Sequence, residues 1–384
     1  MMLRIIIFSV FAFQLIINIT RPIITLYASD LGSNTFEIGI LTAAFAFFPL
    51  LFALHAGRIA DKYGDRYPVI FGMIGLAVGM FFPYFSTSIS ALYISQLIVG
   101  ISNIFIAVSL QNVIGTIATE SNRDQYFSMF GMAVAAASVL GPMLGGYISE
   151  HYNYNSVFLI SLLLSILPII ISLKIPAIKK DVGEKKSIIE SIGLLKIPLL
   201  KKALFSSALV LYSRDIFVAY FPILAKESHL SNSQIGLVIS LQGLAMIIIR
   251  FILPRLLLIM GRDYILFISV LLAGASFLLI PFTGSLTFYC VFSCLMGFGL
   301  GCGQPLSLTT TYNSSPLNRT GEVLGLRLST NRLSQLIAPI FFGIVGTWMG
   351  ILSVFLFSGF FLIGGSWFIK ENKTNGGGTV EINK

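Results

Sequence analysis

Residues 34–66 read NTFEIGILTAAFAFFPLLFALHAGRIADKYGDR, and residues 231–263 read SNSQIGLVISLQGLAMIIIRFILPRLLLIMGRD. Both stretches carry the same residue types at a constant separation of 197 positions. The matched pairs are Ile38 and Ile235, Gly39 and Gly236, Arg58 and Arg255, and Gly64 and Gly261. The same step then relates Gly100 to Gly297, Pro142 to Pro339, and Gly146 to Gly343. The chain is therefore predicted to consist of two similar halves.

Each of the two stretches opens with the pattern of a helix start. Asn34 is followed three positions later by Glu37, and Ser231 is followed in the same way by Gln234. This spacing predicts a capping box, in which two side chains satisfy the free backbone N–H groups.

The composition indicates a membrane protein. Of the 384 residues, 56% are hydrophobic and 11% are charged, against about 25% charged in ordinary soluble domains. The apolar runs are continuous rather than alternating, which favours spanning helices over a β-barrel. The predicted spans are 3–27, 35–57, 67–88, 90–117, 126–149, 154–175, 203–224, 233–256, 264–283, 287–311, 323–347 and 350–370.

The distribution of positive charge predicts the orientation. Twelve spans place both termini and the long stretch between spans 6 and 7 on one side, and this stretch is rich in lysine. Loops on the opposite side carry one basic residue, Lys226. Because positive loops stay in the cytoplasm, we expect cytoplasmic termini in a plasma-membrane protein. The net charge of +9 is accounted for in this way and does not indicate a nucleic-acid partner.

The sequence offers no pattern for a metal or cofactor site. The three cysteines, Cys290, Cys294 and Cys302, lie in one predicted helix, and the chain has three histidines. No metal-ligand spacing, acidic cluster or catalytic constellation follows from these residues, so we expect no cofactor and no enzymatic activity.

Parallel halves related by an axis along the membrane normal are typical of secondary transporters. On this repeat the chain resembles the major facilitator superfamily over essentially its whole length. The resemblance implies an all-α membrane fold of twelve transmembrane helices in two pseudo-symmetric six-helix bundles. The expected divisions are a first bundle at 1–175, a cytoplasmic linker at 176–202, a second bundle at 203–370 and a cytoplasmic tail at 371–384.

The family's signature between helices 2 and 3 is Gly-x-x-x-Asp-(Arg/Lys)-x-Gly-(Arg/Lys)-(Arg/Lys). Gly57, Asp61, Lys62, Gly64 and Arg66 match it, and Asp65 departs from it at the first basic position. The carboxylate of Asp61 could bind a helix N-terminus, which by resemblance is that of helix 11. Candidate ion-pair partners are Arg123 and Arg327. The stretch is thus predicted to be a latch that holds the cytoplasmic side shut; the alternative is a solvated basic loop.

Helix 5 contains a second motif of the family, Gly-x-x-x-Gly-Pro-x-x-Gly-Gly. It is matched by Gly141, Pro142, Gly145 and Gly146, with Ala137 in place of the first glycine. Proline bends a helix, and glycines allow close packing. Family members with the full motif are often exporters that exchange a solute for protons.

Charged residues inside the predicted spans mark the transport site, because charge in a bilayer is costly. Helix 7 carries Arg214 and Asp215, and Asp215 is the only acid within a helix interior. Arg332 in helix 11 is one candidate partner for Asp215. Arg21 in helix 1 is another, although we expect it near the outer end, where its side chain reaches the interface.

Polar side chains on helices 1, 4 and 10 complete the predicted cavity, since by resemblance helices 1, 4, 7 and 10 line it. These candidates are Gln14, Asn18, Gln96, Asn103 and Gln304. Gln96 stands where the family's helix 4 motif has an arginine linked to proton transfer, which weakens the case for proton antiport. These polar groups could instead be static bridges between helices.

We therefore expect a secondary active transporter that moves a small organic solute by alternating access. The two motifs together favour proton-linked efflux by an antiporter, with Asp215 as the proton carrier. The alternative is an uptake carrier for an organic anion or zwitterion, which the intramembrane arginines favour. The expected partners are the solute, protons and the lipid bilayer, with the protein as a monomer.

Overall fold

The computed structural model describes residues 2–119, 122–175, 197–313 and 320–370, and these residues form twelve long α-helices. The first half comprises α1 (Met2–Asp30), α2 (Thr35–Tyr63), α3 (Arg66–Phe85), α4 (Ile89–Ile117), α5 (Arg123–His151) and α6 (Tyr154–Ser172). The second half comprises α7 (Pro198–Glu227), α8 (Asn232–Met260), α9 (Arg262–Leu279), α10 (Leu286–Asn313), α11 (Thr320–Met349) and α12 (Ile351–Lys370). A short 3₁₀ segment, Ile280–Phe282, extends α9.

All twelve of these helices are long and apolar enough to cross a membrane. Each overlaps one predicted span, and α7 begins at Pro198, inside the range predicted for the linker. Residues 176–196 and the tail after 370 lie outside the described residues, so the predicted domain boundaries stay a prediction.

The helix starts predicted from the repeat are confirmed. Asn34 accepts a hydrogen bond from the backbone N–H of Glu37, and the Glu37 carboxylate accepts one from the Asn34 N–H. Ser231 and Gln234 make the same reciprocal pair at the start of α8. Gly64 and Gly261 both have positive φ, 85° and 75°, at the ends of α2 and α8. Only glycine adopts this conformation without a steric cost, which explains why both halves carry it.

The two halves pack with the same internal arrangement. In the first half α1 packs on α5 and α6, and α4 packs on α2 and α3. In the second half α7 packs on α11 and α12, and α10 packs on α8 and α9. Contact between the halves comes mainly from α2 against α11 and from α5 against α8.

The halves meet at the end of the molecule that carries the turns at 31–34 and 228–231, here named the closed end. A Cβ added to Gly39 in α2 would overlap the carbonyl oxygen of Pro339 in α11. The equivalent Gly236 in α8 lies in the same way on the carbonyl of Pro142 in α5. The helices therefore cross with backbone against backbone, which only a residue without a side chain permits.

Polar contacts reinforce the closed end. The N–H of Phe36 in α2 donates to Thr347 Oγ1 in α11 at 2.9 Å. The equivalent N–H of Ser233 in α8 donates to Glu150 Oε2 in α5 at 2.7 Å. Lys226 at the end of α7 forms an ion pair with Asp30 at the end of α1.

Candidate functional site

An ion pair joins the two halves at the centre of the molecule. Arg21 Nη1 in α1 lies 3.0 Å from Asp215 Oδ1 in α7. The second carboxylate oxygen of Asp215 accepts a hydrogen bond of 2.6 Å from Gln335 Nε2 in α11. Asp215 is only 3% exposed, so Arg21 supplies the nearest opposite charge and the Gln335 amide satisfies the other oxygen.

Of the two candidate partners of Asp215, Arg21 is the one in direct contact with it, and its side chain, 19% exposed, does not extend outward as the alternative expectation had it. Side chains on a helix point toward the helix N-terminus, and the N-terminus of α1 lies away from the closed end. Arg21 therefore reaches back toward the centre, where the Phe45 ring centroid lies 4.9 Å from its Cζ.

Arg332, the other candidate partner, reaches Asp215 only indirectly. Its Nη1 donates to Gln335 Oε1 at 2.9 Å, and Gln335 in turn donates to Asp215. Gln335 was missed by the sequence analysis, although an amide inside a predicted span was the available signal.

Arg214 differs from the other central arginines. It is partly buried, and in the described part of the chain it has no hydrogen bond or ion pair. It lines a small cavity between the halves, together with Asn18, Arg21, Pro142 and Gln242. Asp215, Arg21 and Arg250 lie within its electrostatic range. Gln242, a second missed amide, donates to the sulfur of Met296 at 2.9 Å.

Of the other predicted cavity residues, those of the first half lie in α1 and α4. Gln96 is buried and lines a second small cavity with Arg21, Thr42 and Asp215. Asn18 donates to the carbonyl of Gln14, one turn back on its own helix. Asn103 in α4 is buried.

Gln304 belongs to a separate polar cluster in the second half. It donates to the carbonyl of Ser207 at 3.1 Å and accepts from Arg327 Nη2 at 2.8 Å. Arg327 also contacts Ser307 Oγ at 3.1 Å, so this expected latch residue is bonded within its own half.

The stretch after α2 is described only in part. The side chain of Asp61 lies outside the described residues, and nothing is described around Gly57, so the latch stays a prediction. Lys62 and Arg123 are exposed, and Arg66 is partly buried. Asp65 is fully buried, and both of its oxygens accept bonds from Asn112 Nδ2, at 2.9 and 3.0 Å. The departure from the family signature is thus accommodated by an amide of α4.

The glycines of the helix 5 motif serve two interfaces. Gly141 and Gly145 face α1, where an added Cβ would meet the Asn18 side chain or the Ile19 carbonyl. Gly146 faces the other half, against the carbonyl of Asn232. Pro142 lies inside α5, and its carbonyl receives Gly236. The motif therefore packs α5 against α1 within the first half and against α8 of the second half at the closed end.

The contact between Arg21 and Asp215 depends on the charge of the Asp215 carboxylate. Protonation of Asp215 would remove the charge that holds Arg21, and the α1–α7 connection would loosen. Among the described residues, no group of three His, Cys, Asp or Glu side chains is placed to hold a metal ion.

Comparisons with known proteins agree with the fold and with the repeat. A family model described as Major Facilitator Superfamily matches residues 6–203 and 203–382. A relative from Methanocaldococcus jannaschii, an uncharacterized MFS-type transporter, is 24% identical over 364 residues, covering 92% of this chain and 94% of that protein. The quinolone resistance protein NorA of Staphylococcus aureus is 27% identical over 143 residues, which are 37% of each chain.

Solved structures share the fold at lower identity. A POT family transporter, solved in complex with 5-aminolevulinic acid, superposes with a TM-score of 0.81 at 16% identity. The match covers 96% of this chain and 95% of the other.

Proposed function

We propose that this chain, which belongs to the Major Facilitator Superfamily, is a proton-coupled transporter of a small organic solute. The observation that carries the proposal is the buried Arg21–Asp215 pair, which joins the central helices of the two halves. The protein lies in the plasma membrane with both termini in the cytoplasm. The closed end then faces outward, and this conformation of the transporter is inward-facing.

The coupled proton binds to Asp215. With Asp215 ionised, Arg21 and Gln335 hold α1, α7 and α11 together at the centre. Protonation leaves Arg21 without a counter-charge, and the halves can then rock about the cavity between them. Deprotonation on the other side of the membrane restores the pair and completes the cycle.

Export in exchange for protons is the direction that we favour. The helix 5 motif supports it, and so does the similarity to a resistance protein over about a third of the chain. In this cycle the proton enters from outside and leaves to the cytoplasm as the solute moves outward. Asp61 and its neighbours would close the cytoplasmic side in the opposite state.

Co-transport of a proton with an anion is the second candidate. The excess of arginines over acids at the centre favours it, because protonation of Asp215 increases the positive charge that attracts an anion. Proton and solute would then move in the same direction.

A proton-flux assay in proteoliposomes tests both candidates. The liposomes hold pyranine, a pH-sensitive dye, and a quinolone, benzoate or benzylamine is added outside. We expect solute-driven proton movement to fall to below about a tenth of the wild-type rate in Asp215→Asn, because the central carboxyl is lost. Exchange moves protons against the solute, and co-transport moves them with it.

The matched control is Asp263→Asn, an exposed acid at the start of α9 that lies 3.7 Å from Lys202. It should keep the wild-type proton movement. Wild-type proton movement in Asp215→Asn would show that another group carries the proton.

A further inference from the structure

The centre of the molecule holds more positive charge than its own residues neutralise. Arg21, Arg214, Arg250 and Arg332 are connected through their electrostatic interactions, and Asp215 is the carboxylate within that range. Asp215 forms its ion pair with Arg21. A cation inside a membrane without a counter-charge is unfavourable, so this arrangement calls for a further anion.

Arg214 is the arginine that is left to bind this anion. Arg332 donates to Gln335, and Arg250 donates to the carbonyl of Gly301 at 3.4 Å. The guanidinium of Arg214 has no such bond within the described residues, yet it lines the cavity between the two halves. Its five donors are therefore available at the place where a solute must pass.

The walls of this cavity carry the groups that a small organic acid needs, but its volume of about 10 Å³ holds only a water molecule, so the acid binds there when the halves move apart. Asn18 and Gln242 bring two amides from α1 and α8, one from each half. The present acceptor of the Gln242 amide is the thioether of Met296, which is a weak acceptor and is easily exchanged for an oxyanion. Apolar residues such as Val218 and Ile239 supply the surface for a hydrocarbon or aromatic part.

We infer that the solute carries a carboxylate or a phosphate, and that Arg214 binds this oxyanion. A planar guanidinium can hold two oxygens of such a group at once, which an ammonium group cannot do. The inference rests on the proposed function in one respect, namely that the solute crosses at the centre of the molecule. It does not depend on the direction of transport.

Binding is measured without transport, on the full chain purified in detergent, through the midpoint of thermal unfolding. The probes are benzoate, phenyl phosphate, benzamide and benzylamine, which share a ring and differ in charge. A bound ligand raises the midpoint. We expect shifts with benzoate or phenyl phosphate and none with benzamide or benzylamine. The larger of the first two shifts identifies the oxyanion.

Three variants assign the shift to Arg214. In Arg214→Gln we expect affinity for the anion to fall by more than about tenfold, because both guanidinium bonds are lost. Arg214→Lys keeps the charge, so it should fold like the wild type and bind with intermediate affinity. Arg255→Gln, which removes an exposed arginine from α8, should bind like the wild type.

Asp215→Asn separates this inference from the proposed coupling. It should keep or strengthen anion binding, since a competing negative charge is removed, while proton movement is lost. Anion binding that is unchanged in both Arg214→Gln and Arg214→Lys, or equal shifts with benzamide and benzoate, would overturn the inference. Proton movement that persists in Asp215→Asn would overturn the coupling proposal alone.

Discussion

The closed end and the centre of this molecule use the internal repeat in opposite ways. At the closed end the glycine crossings occur twice: Gly39 lies on the Pro339 carbonyl, and Gly236 lies on the Pro142 carbonyl. At the centre the ion pair occurs once. The positions that correspond to Arg214 and Asp215 in the first half are Ile17 and Asn18, and Val218 corresponds to Arg21.

This difference follows from the physical demands of each region. Closure requires that the helix surfaces of the two halves fit together. A glycine packed against a backbone carbonyl gives this fit at both crossings. The proposed proton coupling needs one titrating site, and each additional charge in the membrane has its own desolvation cost. The two halves can therefore share a scaffold while one of them holds most of the charge.

The largest expected effect comes from filling the closed end. We expect Gly39→Val and Gly236→Val each to lower stability by about 1–3 kcal/mol, because the new side chain meets a backbone carbonyl that cannot move aside. Both variants should also lose transport, since the closed end can no longer form. The unfolding midpoint and solute flux in proteoliposomes measure these effects.

Gly131→Val is the control for both variants, because nothing lies within 4 Å of a Cβ at this exposed position of α5. The equivalence of the two halves at the closed end would be disproved if one of the two variants behaved like this control.

A smaller loss of stability is expected from removing either polar contact of the closed end, and the two losses should differ in their dependence on salt. Glu150 accepts from the start of α8 as a carboxylate, whereas Thr347 accepts from the start of α2 as a hydroxyl. An anion also interacts favourably with the helix dipole, so we expect Glu150→Gln to cost about 0.5–1 kcal/mol at low salt. High salt should reduce this loss.

Thr347→Val is the matching change in the other half, and its cost should not depend on salt. Chemical denaturation at two ionic strengths checks both variants. Equal salt dependence would mean that the charge of Glu150 contributes nothing to closure.

The smallest effect concerns the turns of the closed end. His229 has φ 62°, the one positive value at a non-glycine residue in the described chain, and Gly32 with φ 88° is its counterpart in the first half. We expect His229→Gly to stabilise by about 0.5 kcal/mol, because relief of strain slightly exceeds the added freedom of the unfolded chain. Gly32→Ala should destabilise, and a gain from both changes would contradict this account.

The sequence predicted the features that depend on local pattern or on the repeat. The capping boxes at Asn34 and Ser231, the twelve spans and the close packing of the helix 5 glycines all follow from residue types at fixed spacing. Such features need no knowledge of how helices turn about their axes.

The partners at the centre could be predicted only in part. The sequence named Arg21 and Arg332 as candidate partners of Asp215 but could not choose between them, because the direction of a long side chain does not follow from its position along a helix. Gln335 and Asn112 were missed because an amide shows its role only when the neighbouring helix is in place. The side chain of Asp61 lies outside the described residues, so the latch is still a prediction.

The glycine–carbonyl crossings of the closed end also bear on how easily the two conformations exchange. Contacts of this kind contribute about 0.5–1 kcal/mol each, far less than an interlocked apolar core. A shift of a two-state population from 1:99 to 99:1 needs about 5.5 kcal/mol of differential binding. A solute that binds one state about 10⁴-fold more tightly than the other supplies this difference. An end that closes on bare backbone thus keeps the two states near enough in free energy for one bound molecule to decide between them.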